Sequence, residues 1–431
     1  MKSNAIDQAK APRLFYGWVV VAAAFCVALV AYGVQYSFGI FLNPLREDFG
    51  WSVALVSGAA SLFMFARGAL AIFTGRATDM YGPRITVAIG GFFLGLGLIL
   101  TSQISAAWQL YLFYGLMVGF GLSVAFAPLV ATASRWFVSK RGLAIGIVVA
   151  GIGMGTVIMS PLARYLVATY GWSWSYIILG LLAWIIIIPG ALLLRRSPEE
   201  KGLLPLGKAK AIAGAEENSN TVKKEDSLTS ERAGFSLKDA ARTRAFWILL
   251  AIIIFWSICV QMIMIHIYPH ATGLKIPEVV AANFLVVIGI SSIIGRLAMG
   301  AVSDRLGGKL TLAICLVLQA LAMFWLLRAT DIWMLYLFAA AFGFAYGGCV
   351  PLLPVIAGEI FKLKSIGAIV GVQMLGVAIG GAIGPVLGGY VFDVKGSYYL
   401  AFLVSGICTV LALILLAFMR VPRKVRHRGS P

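Results

Sequence analysis

Long uncharged stretches dominate the hydrophobic pattern of the chain. Residues 17–33 and 247–264 are two examples, and both are apolar on every side rather than alternating in polarity. Strands of a membrane barrel would alternate over about 10 residues, whereas about 18 apolar residues in a helix cross the roughly 30 Å hydrocarbon core. Only helices and closed barrels satisfy their backbone in lipid. The pattern therefore predicts transmembrane helices.

The spacing of these stretches predicts an all-α membrane protein organised as six helices plus six. We expect an N-terminal six-helix bundle at 1–194, a cytoplasmic linker at 195–245, a second bundle at 246–419 and a basic tail at 420–431. The linker is charged and contains several Ser, Gly and Asn residues, so it cannot bury a core of its own. The twelve predicted helices lie at about 16–42, 52–74, 85–103, 108–134, 141–168, 173–194, 246–268, 279–302, 309–328, 333–358, 365–392 and 397–419.

Composition agrees with this pattern and excludes most enzyme classes. The chain is 61% hydrophobic and 12% charged, whereas soluble domains carry about 25% charged residues. All five cysteines fall in apolar stretches without paired spacing, which favours small buried side chains over disulfides or metal ligands. The sequence shows no Ser/His/Asp, metal-ligand or phosphate-loop constellation. We therefore expect no enzyme activity, no metal and no cofactor.

The net charge of +18 is a topology signal. If the N-terminus is cytoplasmic, 28 of the 35 basic residues face the cytoplasm and five face outward. Basic residues accumulate on the cytoplasmic side of membrane proteins, where they also attract anionic lipid. We therefore expect a multi-pass protein of the plasma membrane (the cell inner membrane), with both termini cytoplasmic, and no nucleic-acid partner.

The two halves of the chain repeat. The segment 75–82 reads G-x-x-x-D-x-x-G, and the segment 300–307 repeats these positions at an offset of 225 residues. At the same offset, Leu-Tyr-Leu-Phe at 110–113 recurs at 335–338. Repeated halves that hold a substrate between them are a common basis of alternating access. The repeat therefore predicts a secondary transporter.

The G-x-x-x-D-x-x-G loops resemble the signature of the major facilitator superfamily, and the resemblance covers nearly the whole chain. In that family these loops brace helix pairs at the cytoplasmic side. The resemblance implies tight turns and close helix approach at the glycines, and acids that cap a neighbouring helix across the bundle; a plain solvated turn is the alternative. The residues concerned are Gly75, Asp79, Gly82, Gly300, Asp304, Arg305 and Gly307.

Finer features are similar to those of the monocarboxylate porters and their bacterial relatives, including oxalate:formate antiporters. That branch carries small organic acids, with a proton or by exchange. The segments that carry this resemblance are Gly17-Trp18, 38–42 with 49–51, 141–146, 266–273 and 295–300.

Two arginines, Arg67 and Arg296, lie well inside predicted helices two and eight. A charge at mid-bilayer costs at least about 2.5–3.5 kcal/mol and usually faces a cavity. The seventeen acids lie in loops, tails or helix ends, with Glu359 and Asp393 nearest the interior. The interior is therefore expected to be positive and to favour an anion, which arginine can hold through two hydrogen bonds.

The family resemblance implies that Arg296 binds the substrate carboxylate; snorkelling to the cytoplasmic interface is the alternative. Arg67 has no counterpart in the family pattern. It is either a second anion ligand or a packing residue that binds backbone carbonyls. Ser292 lies one turn before Arg296, where animal members carry an aspartate used in proton coupling.

Histidine and polar residues complete the predicted site. His266 is a candidate for proton uptake, and the resemblance implies that it faces the substrate; an interfacial position is the alternative for it and for His270. Tyr346 is a candidate hydroxyl donor or a packing aromatic. Tyr36 and Gln261 are expected to line the cavity. Helix eleven carries no lysine that could serve as a second positive charge. One strong cationic ligand suits a monoanion better than a dianion, unless Arg67 also faces the cavity.

Together these features predict a monomeric, proton-coupled carrier of small monocarboxylates of the lactate and pyruvate type. Arg296 would hold the carboxylate, and His266 or the carboxylate itself would take the proton. An anion exchanger of the oxalate:formate type is the nearest alternative. A non-transporting receptor or sensor is a third, which would bind ligand without flux.

Overall fold

The computed structural model describes residues 15–137, 140–206, 241–361 and 366–419. Most of the predicted linker, at 207–240, and the predicted tail at 420–431 lie outside the described residues. The helices are α1 Tyr16–Phe49, α2 Val53–Tyr81, α3 Pro83–Thr101, α4 Ala107–Trp136, α5 141–170, α6 172–193, α7 Arg244–Gly273, α8 Glu278–Leu306, α9 Gly308–Leu326, α10 Ile332–Phe361, α11 Ile366–Lys395 and α12 Tyr399–Phe418.

Helices α5 and α6 form one continuous helical run, Arg141–Leu193. At 1.5 Å per residue these 53 residues would extend about 80 Å, more than twice the hydrocarbon thickness. The run breaks at Gly171, whose φ of 77° and ψ of 168° are not helical. It therefore supplies two membrane crossings, and the described part of the chain contains the twelve predicted helices.

Helix α4 is interrupted near the centre of the bundle. A π-helical stretch at Tyr111–Val118 precedes the interruption, and Phe126 has non-helical angles, with φ of −123° and ψ of −75°. Pro128 stands in the first turn after the break, where its missing N–H needs no partner. The Thr74 hydroxyl donates to the Ser123 carbonyl over 3.3 Å, which satisfies a carbonyl at the break.

The sequence repeat is also a repeat of the backbone. Gly82 has φ of 83° and ψ of 161°, and Gly307 has φ of 80° and ψ of 154°. Each glycine ends one helix and begins the next. Because a positive φ favours glycine, these turns explain why the repeat preserves glycine at both positions.

The two halves meet along three pairs of helices: α2 with α11, α5 with α8, and α1 with α7. Several bonds between the halves lie at the end of the bundle where α1 ends and α2 begins, termed the sealed face below. Asp393 of α11 accepts hydrogen bonds from the backbone N–H groups of Val53 (2.9 Å) and Ala54 (2.7 Å). A carboxylate is favoured there because the first N–H groups of a helix lack partners.

A second set of bonds joins the halves at the sealed face. Arg164 of α5 forms an ion pair of 2.7 Å with Glu278 at the start of α8. The Asn43 amide of α1 donates to the Thr272 hydroxyl of α7 over 3.1 Å. Each of the three helix pairs between the halves is thus bonded at this face.

Candidate functional site

A cavity of about 90 Å³ lies between the two halves, near the middle of the bundle. A buried site needs about 10–15 Å³ to hold one water, so this cavity has room for a small solute. Among the residues that the structure describes, none of those lining the cavity is acidic. The lining residues are Tyr32, Tyr36, Arg67, Phe126, Ile152, Trp256, Ser257, Val260, Gln261, Arg296, Tyr346, Val350, Leu353, Gln373, Met374 and Val377.

Arg296 enters the cavity from α8 with one edge of its guanidinium almost free. Its Nη1 donates to the Val149 carbonyl of α5 over 3.1 Å. Its Nη2 lies 3.5 Å from the Tyr346 hydroxyl, a long contact, and its Nε has no partner although it is buried. The Nε and Nη2 groups together match the two oxygens of a carboxylate. The side chain is only 8% exposed, which does not fit snorkelling to the interface.

Arg67 enters the same cavity from α2, in the other half. Its Nη1 donates to the Gln35 side-chain oxygen over 2.7 Å, and its Nη2 donates to the Tyr32 hydroxyl over 3.1 Å. These partners are side chains of α1 rather than the backbone carbonyls considered from the sequence. Both are neutral, so the charge of Arg67 is held in place without being compensated.

Two tyrosines bridge the halves across the cavity. The hydroxyls of Tyr36 on α1 and Tyr346 on α10 share a buried hydrogen bond of 2.9 Å. Trp256 of α7 stacks on Tyr346 with ring centroids 6.0 Å apart. Tyr36 and Tyr346 are the lining residues of their helices nearest to the sealed face.

The structure therefore brings Arg67, Arg296, Tyr36, Tyr346 and Gln261 together in one cavity. Gln261 is buried, and its side-chain oxygen has no partner. The role of these five residues in binding stays a prediction.

The other eleven lining residues were not predicted from the sequence, among them Tyr32, Trp256 and Gln373. Tyr32 lies one turn before Tyr36 on α1, and this helical spacing could have identified it. Gln373 is the most polar large side chain of residues 365–391, which is also a usable signal. Trp256 carried no such signal, because its approach to the cavity depends on how α7 packs.

The structure places His266 and Ser292 outside the cavity lining. The fully buried His266 ring donates from Nε2 to the Pro385 carbonyl of α11 over 2.8 Å, and its ring lies 5.0 Å from that of Tyr398. It is thus enclosed between α7, α11 and the start of α12 instead of facing a substrate. The Ser292 hydroxyl donates to the Gly289 carbonyl of its own helix over 2.8 Å.

His270 also lies away from the cavity. Its ring meets Phe402 edge-on, with centroids 5.0 Å apart. Of the two acids expected nearest the interior, Asp393 lies at the sealed face, and the side chain of Glu359 falls outside the described residues.

The motif residues lie at the opposite face of the bundle. Asp79 pairs with Arg135 of α4 over 2.9 Å, within one half, so it does not cap a helix of the other half here. Asp304 and Arg305 are exposed. A Cβ added at Gly75 or Gly300 would meet no atom of the described residues within 4 Å. In the part of the chain that the structure describes, the close helix approach expected at these two glycines is therefore not seen.

The sequence of the chain is similar to those of known membrane transporters. The sequence profile of the Major Facilitator Superfamily matches residues 24–311 and 271–431. Monocarboxylate transporter 12 of Mus musculus is 24% identical over 450 residues, covering 100% of this chain and 90% of its own. Monocarboxylate transporter 13 of Rattus norvegicus is 27% identical over 405 residues, covering 93% and 88%.

The fold is also that of a solved transporter structure. A bacterial homolog to the human lysosomal transporter Spinster, in an inward-facing and unoccupied conformation, superposes with a TM-score of 0.66 at 16% identity, over 94% of this chain and 96% of its own. The chain belongs to the Major Facilitator Superfamily, and it is a multi-pass membrane transporter similar over nearly its whole length to members named monocarboxylate transporters.

Proposed function

We propose that the protein is a secondary active transporter of small monocarboxylates, of the lactate and pyruvate type, which works by alternating access as a proton symporter. The nearly free Nε–Nη2 edge of Arg296, in a cavity without acidic lining, is the observation that carries this proposal. A guanidinium binds a carboxylate through two parallel hydrogen bonds. The names of the relatives support the same substrate class.

The distribution of basic residues orients the molecule in this proposal. Both termini are cytoplasmic, and the membrane is the plasma membrane. The sealed face is then the outer face. The cavity, which lies between the sealed face and the cytoplasm, receives or releases its cargo on the inside.

Binding at Arg296 is coupled to opening through the two bridging tyrosines. A carboxylate on the Nε–Nη2 edge displaces the Tyr346 hydroxyl, whose contact with Nη2 is already long. Tyr346 also bonds Tyr36 of the other half. Substrate binding therefore perturbs a bond that holds the two halves together.

The proton enters with the substrate. Arginine does not release its proton in proteins, and none of the described lining residues is a carboxylic acid. His266 is enclosed by packing, and protonation of its partnerless Nδ1 would add a buried donor without an acceptor. The substrate and the proton therefore load together.

Uptake of radiolabelled lactate into proteoliposomes tests the proposal. An inward proton gradient should accelerate uptake, and R296Q should abolish it while the exposed loop variant R328Q retains it. Melting temperatures of both variants in detergent separate loss of binding from loss of folding. Gradient-driven uptake that survives in R296Q would overturn the site, and a wild-type protein that carries no carboxylate would overturn the function.

Anion exchange is the second candidate, because none of the described lining residues is an acid or a histidine. Exchange would show as lactate uptake that is accelerated by an internal carboxylate and does not respond to a pH gradient. The same proteoliposomes give this measurement.

A further inference from the structure

Two uncompensated cations share the central cavity. Arg67 of α2 and Arg296 of α8 both line it, one from each half. The hydrogen-bond partners of both guanidiniums are neutral: an amide oxygen and a hydroxyl for Arg67, a carbonyl and a hydroxyl for Arg296. The cavity therefore carries two positive charges that none of the lining residues described by the structure balances.

The negative charge that balances the two guanidiniums must come from the ligand. An arginine side chain stays protonated at any physiological pH, so neither charge can be removed by titration. Like charges repel more strongly in a low-dielectric interior than in water. A monoanion bound to one guanidinium leaves the other uncompensated, whereas a ligand with two anionic groups neutralises both.

The geometry places the two guanidiniums on one continuous polar wall. Arg296 contacts Tyr346, which bonds Tyr36. The Tyr36 ring lies 6.3 Å from that of Tyr32, whose hydroxyl accepts from Arg67. Three tyrosines thus lie between the two charges along the cavity wall.

The surroundings of Arg67 fit a second anion-binding position, termed the Arg67 pole below, better than a packing site. The side chain is half-buried, and it lines both the central cavity and a narrower cleft between α2, α4 and α11. Gln35, its partner, is buried behind the cavity wall and holds the guanidinium in place through its side-chain oxygen.

We propose that the cavity binds short dicarboxylates, with one carboxylate at Arg296 and the second at Arg67. The inference rests on the proposed function, because it uses the same carboxylate position at Arg296. Monocarboxylates occupy the Arg296 pole alone and bind less tightly than dicarboxylates of the same length.

Calorimetric titration of the purified full-length protein with butyrate and with succinate, its dicarboxylate counterpart of the same carbon number, tests this assignment. Wild type should bind succinate about tenfold or more tightly than butyrate, as expected for added charge-assisted hydrogen bonds. R67Q should weaken succinate binding by about tenfold more than it weakens butyrate binding, so that the preference is lost. R67K, which keeps the charge, should retain part of the preference, and R328Q should match wild type.

The outcomes separate the two proposals. If R67Q weakens both ligands equally, or neither, the second pole is wrong, and monocarboxylate binding that depends on Arg296 still supports the proposed function. If R296Q binds butyrate as well as wild type does, the proposed function and this inference both fail. A lowered melting temperature of R67Q without recovery in R67K would assign Arg67 to packing and overturn the inference.

Discussion

The hydroxyls of Tyr36 and Tyr346 lie 2.9 Å apart and join the two halves of the transporter inside its central cavity. The residues are 310 positions apart in the chain. Tyr346 also contacts Arg296, so one side chain connects the proposed carboxylate position to the interface between the halves. A ligand that competes for Arg296 therefore acts on the bond that holds this conformation.

Removal of that bond should favour opening of the sealed face. Y36F leaves Arg296 untouched and deletes a neutral hydrogen bond, which is worth about 0.5–1.5 kcal/mol, or about 2- to 10-fold in the equilibrium between conformations. The readout is labelling of S61C by a membrane-impermeant thiol reagent from outside, in a C26A background. Ser61 is buried where α2 meets α11 and accepts a bond from the Val386 N–H.

The S61C test has a built-in control and a clear contrary result. The C26A parent without S61C measures any reaction of the buried cysteines. If Y36F labels no faster than its parent while folding normally, the tyrosine bond does not hold the sealed face.

Loss of the Asp393 carboxylate should open the sealed face further. D393A removes two acceptors from the first N–H groups of α2, and loss of an N-terminal cap costs about 0.5–2 kcal/mol, or about 2- to 30-fold. Labelling of S61C should rise by this factor. K395A, two residues away and also exposed, is the matched control and should label at the wild-type rate.

The ion pair at the same face should matter less. Glu278 is 57% exposed and Arg164 17%, and exposed pairs contribute about 0.2–1 kcal/mol because water and salt screen them. E278Q should therefore raise S61C labelling by less than about fivefold. An effect of E278Q larger than that of D393A would reverse this ranking of the two contacts.

Two glycines of α8 should respond in opposite ways to alanine. A Cβ at Gly295 would clash with the Phe344 carbonyl oxygen of α10, and backbone cannot move aside cheaply. Overpacking of this kind costs about 1–3 kcal/mol, so G295A should melt several degrees lower in detergent. G300A meets nothing within 4 Å and should melt at or above the wild-type temperature.

G300A should nevertheless transport slowly. The opposite face must close when the sealed face opens, and the space beside Gly300 is where helices would then approach. A G300A variant that transports lactate at the wild-type rate would show that this glycine is not needed for closure.

The fold could be predicted from the sequence because the length and hydropathy of a segment identify it as a membrane helix. The break at Gly171 and the paired turns at Gly82 and Gly307 follow from glycine positions visible in the chain. The membership of the superfamily is likewise confirmed. Arg67 and Arg296 could be located because a charge in an apolar stretch is conspicuous.

The surroundings of individual residues could not be predicted in the same way. Whether His266 faces a cavity depends on the rotation of α7 against α11, and the Pro385 carbonyl that binds it lies 119 residues away. The contact of Asp393 with α2 spans 340 residues. Such contacts are decided by helix packing, which hydropathy does not encode.

The closure at Asp393, Val53 and Ala54 has a pharmacological consequence. If the sealed face is the outer face, as proposed, a polar inhibitor that mimics the cargo and is added to the medium should not reach the cavity through this face while the contact is made. Its block should therefore develop only as carriers turn over, and faster in cells that are actively exporting. Compounds that cross the bilayer would act at once. The delay between their block and that of the polar inhibitor therefore measures how often the sealed face opens.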